Sequence, residues 1–255
     1  MHDLFSLEGR TALVTGGSRG IGAMIAEGFL RAGAKVYISA RKAGPCEAMA
    51  RKLSEFGTCI ALPVDAAGAD GARNVAARYL EHETSLDILV NNAGAAWGEA
   101  FAKFSEGGWD KVVDLNLKTP FFLTQALHGA LKTATETGTP AKVINIASID
   151  GMSLNMQETY SYAASKAGLI HLTKRMAMTL IDDNIIVNAI APGAFPSDMN
   201  REARDDDGTL AALIPAKRIG DKDDMMGAAV YLASRAGNYM VGSTLVVDGG
   251  LTWRR

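Results

Sequence analysis

Cysteine is scarce: Cys46 and Cys59 are the only two in 255 residues. They have neither the density of a disulfide-stapled secreted scaffold nor the close spacing of a metal clasp, so both read as plain thiols and no metal site is expected. No sign of charge prevails. With 28 acidic against 26 basic residues the formal net charge is −2, so the field that draws a protein to nucleic acid or to an acidic membrane is missing and neither is expected as a partner. Long apolar runs are missing too, since no stretch reaches the ~18 consecutive apolar residues of a membrane span. The opening Met1-His2-Asp3-Leu4-Phe5-Ser6-Leu7-Glu8-Gly9-Arg10 lacks the basic leader and apolar run of a secretory signal. A cytoplasmic protein acting on a small molecule is the expectation. Fixed-period repeats, low-complexity tracts and Pro/Gly/Ser linkers are also absent, which favours one domain over residues 1–255.

What the chain does have is alternation. Short β-rich apolar runs at Ala12–Thr15, Lys35–Ser39, Cys59–Val64, Leu86–Asn91, Lys142–Ala147, Ile185–Ile190 and Thr244–Val247 are mostly separated by segments of helical period. Alternation of this kind predicts βαβ units and a parallel sheet. Seven strands with crossovers on both faces give an α/β, doubly wound, Rossmann-type fold, in which ligands bind beyond the carboxyl ends of the strands.

After the first strand stands Thr15-Gly16-Gly17-Ser18-Arg19-Gly20-Ile21-Gly22, followed by a helical stretch to about Arg31. Glycines let a backbone turn tightly and approach a pyrophosphate, and the helix start offers N–H groups and a positive dipole end. A glycine-rich turn alone can be merely structural; between a strand and a helix it reads as a nucleotide site. The second strand ends Ser39-Ala40-Arg41-Lys42, with no acid to bond a ribose 2′-hydroxyl. Arg41 and Arg19 can together clamp a 2′-phosphate, which favours NADP(H) over NAD(H). Asp65 and Ala66, after the third strand, offer groups for an adenine edge. Asn91-Asn92-Ala93-Gly94 follows the fourth, with Asn91 read as a tie between strands and the small residues as a low floor beside the cofactor.

The chemistry centres on Tyr162-Ala163-Ala164-Ser165-Lys166. Four residues apart on a helix, the phenol and the ammonium share a face. A lysine cation at ~4 Å and an effective dielectric of ~20 favours phenolate by roughly 4 kcal/mol, an upper bound of about three pKa units. Ser148, at the end of Val143-Ile144-Asn145-Ile146-Ala147, is placed to orient a carbonyl or alcohol oxygen. A Tyr-x-x-x-Lys pair by itself also arises by chance; the serine and the cofactor half of the chain give it meaning. Tyr160 is a rival tyrosine, but its +4 partner is Ala164.

Taken in order, Thr15-Gly16-x-x-x-Gly20-x-Gly22, Asn91-Asn92-Ala93-Gly94, Asn116, Ser148, Tyr162-x-x-x-Lys166, Pro192-Gly193 and the closing Leu245-Val246-Val247-Asp248-Gly249-Gly250 resemble the classical short-chain dehydrogenase/reductase family over essentially the whole chain. The resemblance implies that Tyr162 is the proton donor and acceptor, and that Lys166 lowers its pKa and holds the nicotinamide ribose. It implies that Ser148 orients the substrate oxygen and that Asn116 supports a water relay to Lys166. It also implies that the turn Pro192-Gly193-Ala194-Phe195-Pro196-Ser197 holds the carboxamide, Ser197 standing where a threonine is usual, that residues from about 195 to 215 form a substrate lid, and that the protein is a homotetramer meeting along Gly108–Leu131 and Tyr162–Leu180. Arg204-Asp205-Asp206-Asp207-Gly208 within the lid reads as a solvated turn.

Ala95, Trp97, Met152, Leu154, Met156 and Phe195 are candidates to line an apolar substrate pocket. In texture the chain is similar to the NADPH-dependent 3-oxoacyl reductases, the rhamnolipid-associated branch included. Reduction of a 3-oxoacyl thioester is therefore expected, a sugar acid such as 5-ketogluconate being the rival substrate and a non-catalytic NADP(H)-binding sensor the rival class. Against a carrier-protein substrate stands the acidic Leu180-Ile181-Asp182-Asp183 where a basic docking surface would be needed.

Overall fold

Runs of β-branched and apolar residues too short for a helix become strands when both of their faces can be buried. In the computed structural model, which describes residues 2–197 and 200–253, they do so as β1 Thr11–Thr15, β2 Lys35–Ala40, β3 Cys59–Pro63, β4 Ile88–Asn91, β5 Ala141–Ile146, β6 Ile185–Pro192 and β7 Thr244–Val247. All pair in parallel, in the order β3-β2-β1-β4-β5-β6-β7. The expected strands are present with shifted ends. β4 begins at Ile88 rather than Leu86, whose N–H instead bonds the Ala130 carbonyl. β6 runs to Pro192, in register with Val247.

Between the strands lie helices α1 His2–Phe5, α2 Gly20–Arg31, α3 Ala43–Leu53, α4 Gly68–Leu80, α5 Glu106–Val113, α6 Thr119–Ala126, α7 His128–Thr135, α8 Tyr160–Leu180, α9 Arg201–Arg204, α10 Thr209–Leu213 and α11 Lys222–Ala233. Alternation of side chains along each strand divides the core in two. Ala12, Val14, Val36, Ile38, Ile88, Val90, Ile144 and Ile190 face α2, α3 and α11, while Leu13, Tyr37, Leu89, Val143, Ile185 and Val187 face α4, α6, α7 and α8. On the second of these faces runs a buried polar tie: Asn91 Nδ2 donates to Asn145 Oδ1 at 2.8 Å, and Asn145 Nδ2 to Thr173 Oγ1 at 2.9 Å, joining β4, β5 and α8. Asn91 is thus the strand-to-strand tie expected of it.

At the opposite end of the sheet from the glycine turn, Arg10 pairs with Asp87 at 2.8 Å and donates to the Pro140 carbonyl at 2.8 Å. Beside it Lys142, 1% exposed, donates to Asn238 Oδ1 at 2.7 Å. Burial, with the nearby Arg10 cation adding, lowers the Lys142 pKa from 10.5 to about 8. A lysine whose folded pKa lies below its unfolded one destabilises the fold below pH 8, a penalty relieved as pH rises from 8 toward 10.5. The full shift corresponds to about 3 kcal/mol, part of it offset by the Asn238 bond. Lys142→Met is therefore expected to raise the thermal midpoint at pH 7 by roughly 3–6 °C and to flatten its rise between pH 8 and 10. A lowered midpoint in a calorimetric pH series would refute this.

Candidate active site

Strand order reverses at β1 and β4, and the crevice there is where an open α/β sheet binds its ligand. Thr15, the last residue of β1, organises it. Its hydroxyl donates to the Val90 carbonyl at 3.1 Å and accepts from the N–H groups of Asn92 at 2.9 Å and Ala93 at 3.0 Å. Asn92 reaches back, its Nδ2 donating to the carbonyls of Thr15 at 2.8 Å and Gly16 at 3.3 Å. The Asn92 amide thereby locks the glycine turn to the end of β4. Thr15 was legible only as a strand-end hydroxyl, and its reach across strands was not.

The turn passes directly into α2. No acidic residue stands in the first turn of α2, and Arg19, extended ahead of it, makes no side-chain capping bond to it. The amide donors of that turn are thus left for an anion, as a pyrophosphate site requires. Ser18, Gly20 and Ile21 are partly buried around it, and Arg19 and Arg41 are both exposed. Exposed Asp65 accepts from the Ala67 N–H at 3.1 Å, and the buried Ala66 carbonyl is held by Thr119 Oγ1 at 2.7 Å.

On the other side of the crevice β5 ends beside α8. Gly151, in the turn after Ser148, packs against the backbone of Lys166 and Ala167 so closely that a Cβ there would lie 2.7 Å from both. This contact brings Ser148 against α8, near enough to the Tyr162 phenol to lower its pKa. Ser148 Oγ also accepts from the Asp150 N–H at 3.1 Å. Lys166, 5% exposed, has its Nζ 5.6 Å from the Tyr162 ring centroid and donates to the Ile146 carbonyl at 2.6 Å.

This geometry corrects the expected electrostatics. Burial pushes the Tyr162 phenol up to about 12, with the Ser148 hydroxyl opposing and the Asp150 carboxylate adding to the rise. Burial also pulls Lys166 down to about 8. Desolvation acts on both groups and outweighs their attraction, because Lys166 is directed at a backbone carbonyl rather than at the phenol oxygen. The phenol is accordingly protonated at neutral pH, a proton donor in waiting.

Asn116 lies in a π-helical turn, Asp114–Lys118, between α5 and α6. Its side chain hydrogen-bonds Ala95 and Ser165 rather than Lys166. Oδ1 accepts from the Ala95 N–H at 2.8 Å, and Nδ2 donates to the Ala95 carbonyl at 2.9 Å and to Ser165 Oγ at 3.1 Å. The residues before it, Ala93 and Gly94, form the floor between the two halves.

The remaining predicted residues divide. Gly193, just past Pro192, bonds the Val247 carbonyl at 2.9 Å and packs on Asp248. Phe195 is 2% exposed, packed among core residues such as Ile190 and Met225 and against Gly220, and it borders a cavity that Val246, Val247 and Asp248 also line. Trp97 packs against Gly108, and Lys111 lies over its ring at 4.8 Å, which ties it to α5. Leu154 and Met156, by contrast, are 99% and 100% exposed and Met152 is 42% exposed. Ser197 sits over Gly20, with its Cβ 3.2 Å from where a side chain there would begin, and its Oγ accepts from the Asn200 N–H at 3.0 Å. In the segment 195–215, Asp198 and Met199 lie outside the described residues. Ala203 and Ile214 pack with Ala194 in a small core of their own. Asp206 caps α10 through the N–H groups of Leu210 and Ala211, so it is more than solvated. At the far end of α8, Asp183 pairs with Lys132 at 2.6 Å and with His128 at 2.8 Å, which offsets the acidity read there. Among the described residues no helix is long and apolar enough to cross a membrane.

Comparison with known proteins agrees with this geometry. Residues 16–252 match the family model described as enoyl-(acyl carrier protein) reductase. Over 253 residues, 98% of this chain and 99% of the relative, the sequence is 46% identical to the rhamnolipids biosynthesis 3-oxoacyl-[acyl-carrier-protein] reductase of Pseudomonas aeruginosa. It is 38% identical to the 2-dehydro-3-deoxy-D-gluconate 5-dehydrogenase of Escherichia coli, covering 96% of each chain. Among solved structures, the Pseudomonas aeruginosa RhlG/NADP active-site complex superposes with a TM-score of 0.95 at 45% identity, over 99% of this chain and 100% of the other.

Proposed function

Because the chain belongs to the short-chain dehydrogenase/reductase family, we propose that it is an NADPH-dependent reductase that converts a 3-oxoacyl thioester to its 3-hydroxyacyl counterpart. The observation that carries the substrate class is the segment joining Ser148 to Tyr162. Between them stand no lysine, arginine or histidine, the only charges are Asp150 and Glu158, and Met152, Leu154 and Met156 are held out to solvent. An apolar surface bordered by acids suits an acyl chain and repels the carboxylate of a sugar acid.

NADPH supplies the hydride when bound. Gly16, Ser18, Gly20, Ile21 and Gly22 hold its pyrophosphate, Arg19 and Arg41 its 2′-phosphate, and Asp65 and Ala66 its adenine. Ala93 and Gly94 form the floor that Asn92 secures. Pro192, Gly193 and Ser197, with the backbone of Phe195, secure the nicotinamide end under the 195–215 lid. Ser148 donates a hydrogen bond to the ketone oxygen and so polarises it. Tyr162 gives that oxygen its proton as the alcohol forms. Lys166 holds the nicotinamide ribose and, while protonated, stabilises the phenolate left behind, with Asn116 securing the floor beside it. The protein acts in the cytoplasm as a homotetramer, its subunits meeting along α5–α8, which expose Trp109, Phe121 and Met178.

The test is oxidation of NADPH, against NADH, with acetoacetyl-CoA, longer 3-oxoacyl thioesters and 5-ketogluconate. NADPH-selective turnover of the thioesters is expected. Turnover of the keto-sugar alone would transfer the assignment to sugar acids, a reading that the Escherichia coli dehydrogenase keeps in view, and cofactor binding without any turnover would make the protein a sensor.

The pH dependence follows from Lys166 near 8 and Tyr162 near 12. The active form carries both protons, so kcat/KM for NADPH, which reports the cofactor-free protein, should be level between pH 6 and 7 and fall as pH rises through about 8. A profile that climbs through pH 8 would contradict this assignment.

A further inference from the structure

Ser165 has no part in the steps above, yet it is 1% exposed and stands between the two residues that do the most. Its Oγ donates to the Tyr162 carbonyl at 2.8 Å and accepts from Asn116 Nδ2 at 3.1 Å. A hydroxyl has one proton, so donation to Tyr162 leaves only acceptor capacity toward Asn116. That determines which end of the Asn116 amide faces α8. With Nδ2 so directed, the amide meets both backbone groups of Ala95, accepting from its N–H at 2.8 Å and donating to its carbonyl at 2.9 Å. One unbroken chain of hydrogen bonds therefore runs from Ala95, which follows the Ala93–Gly94 floor, through Asn116 and Ser165 to the backbone of Tyr162.

We propose that Ser165 is a positioning residue: through Asn116 and Ala95 it fixes the distance between the adjoining Ala93–Gly94 floor and the first turn of α8, and so the approach of the Tyr162 hydroxyl to the reacting oxygen. The inference rests on the reading of Tyr162 as proton donor. Without the Ser165 hydroxyl the amide loses its only bond to α8, and the floor and the phenol are free to separate by fractions of an ångström. A loss of that kind falls on the chemical step rather than on binding.

The experiment is a double-mutant cycle on kcat with acetoacetyl-CoA and NADPH, comparing the wild type, Ser165→Ala, Asn116→Ala and the pair. Ser165→Ala should lower kcat about tenfold, the size of one lost hydrogen bond, with both KM values within about twofold. In the Asn116→Ala background it should cost nothing further, because Ser165 acts through that amide. A wild-type kcat in Ser165→Ala, or the same tenfold loss with Asn116 absent, overturns the inference while leaving the reductase assignment intact. A wild type that oxidises NADPH with no ketone overturns the assignment, and the inference with it. Should Ser165→Ala not fold, the near-isosteric Ser165→Cys, a weak donor, takes its place in the cycle.

Discussion

Tyr162→Phe is expected to lower kcat for acetoacetyl-CoA reduction by about 10³-fold while leaving the Kd of NADPH nearly unchanged. In the proposed mechanism the phenol protonates the nascent alcohol. Tyr160, two residues away on a helix, faces elsewhere and donates to Glu158 at 3.1 Å. Lys166 donates to the Ile146 carbonyl instead. Removing one oxygen atom preserves the ring packing, so binding and thermal midpoint should hold. Steady-state kinetics with fluorescence titration of NADPH check both halves. Retention of more than a tenth of wild-type kcat would mean that the proton comes from elsewhere.

Gly22→Ala is expected to weaken NADPH about 100-fold, equivalent to ~2.8 kcal/mol, and to destabilise the fold by about 3 kcal/mol. A Cβ at this position would stand 2.4 Å from Asn92 Nδ2 and 2.4 Å from the Gly16 carbonyl oxygen. Neither neighbour can yield, because the oxygen belongs to the turn's own backbone and the amide is what holds that turn to β4. The added methyl must open the clamp, and with it the alignment of the N–H groups that face the pyrophosphate. For a chain of this size the thermal midpoint should fall by roughly 6–12 °C. Gly107→Ala is the matched control, since in α5 the same methyl meets nothing within 4 Å and should be neutral or slightly stabilising. Unaltered NADPH affinity in Gly22→Ala would show that the turn does not carry the cofactor.

Legibility in the sequence followed the range of the interaction concerned. Strands, the glycine turn and the Tyr162–Lys166 pair are local patterns, read from period and spacing, and the sheet has the seven parallel strands that alternation requires. What was misread depends on neighbours distant in sequence. Tyr162 was assigned a lowered pKa from its helical spacing to Lys166, but burial by the rest of the fold raises it. The bonds of the Asn92 amide to carbonyls 76 and 77 residues away had no counterpart in its local pattern. The burial of Phe195 among Ile190 and Met225 likewise had no local signal, since those partners come from β6 and α11. Lys142 gave no signal, because a lysine at a strand end is ordinarily solvated and only the packed Asn238 reveals otherwise.

The strand order also governs how the chain assembles as it leaves the ribosome. β1, β2 and β3 are neighbours in sequence and in space, so the first 63 residues already contain every partner of β2 and can close early. β1 waits longer. Its second partner, β4, follows 76 residues behind it, Ala12 lying opposite Ile88. The Thr15–Asn92 clamp is out of reach until that strand emerges, so a nascent chain stalled before Ile88 owns the glycine turn in sequence but not in shape. Cofactor capture by the nascent chain thus begins no earlier than the fourth strand, and the half-made sheet meets the cell's NADPH pool with its binding turn unlocked.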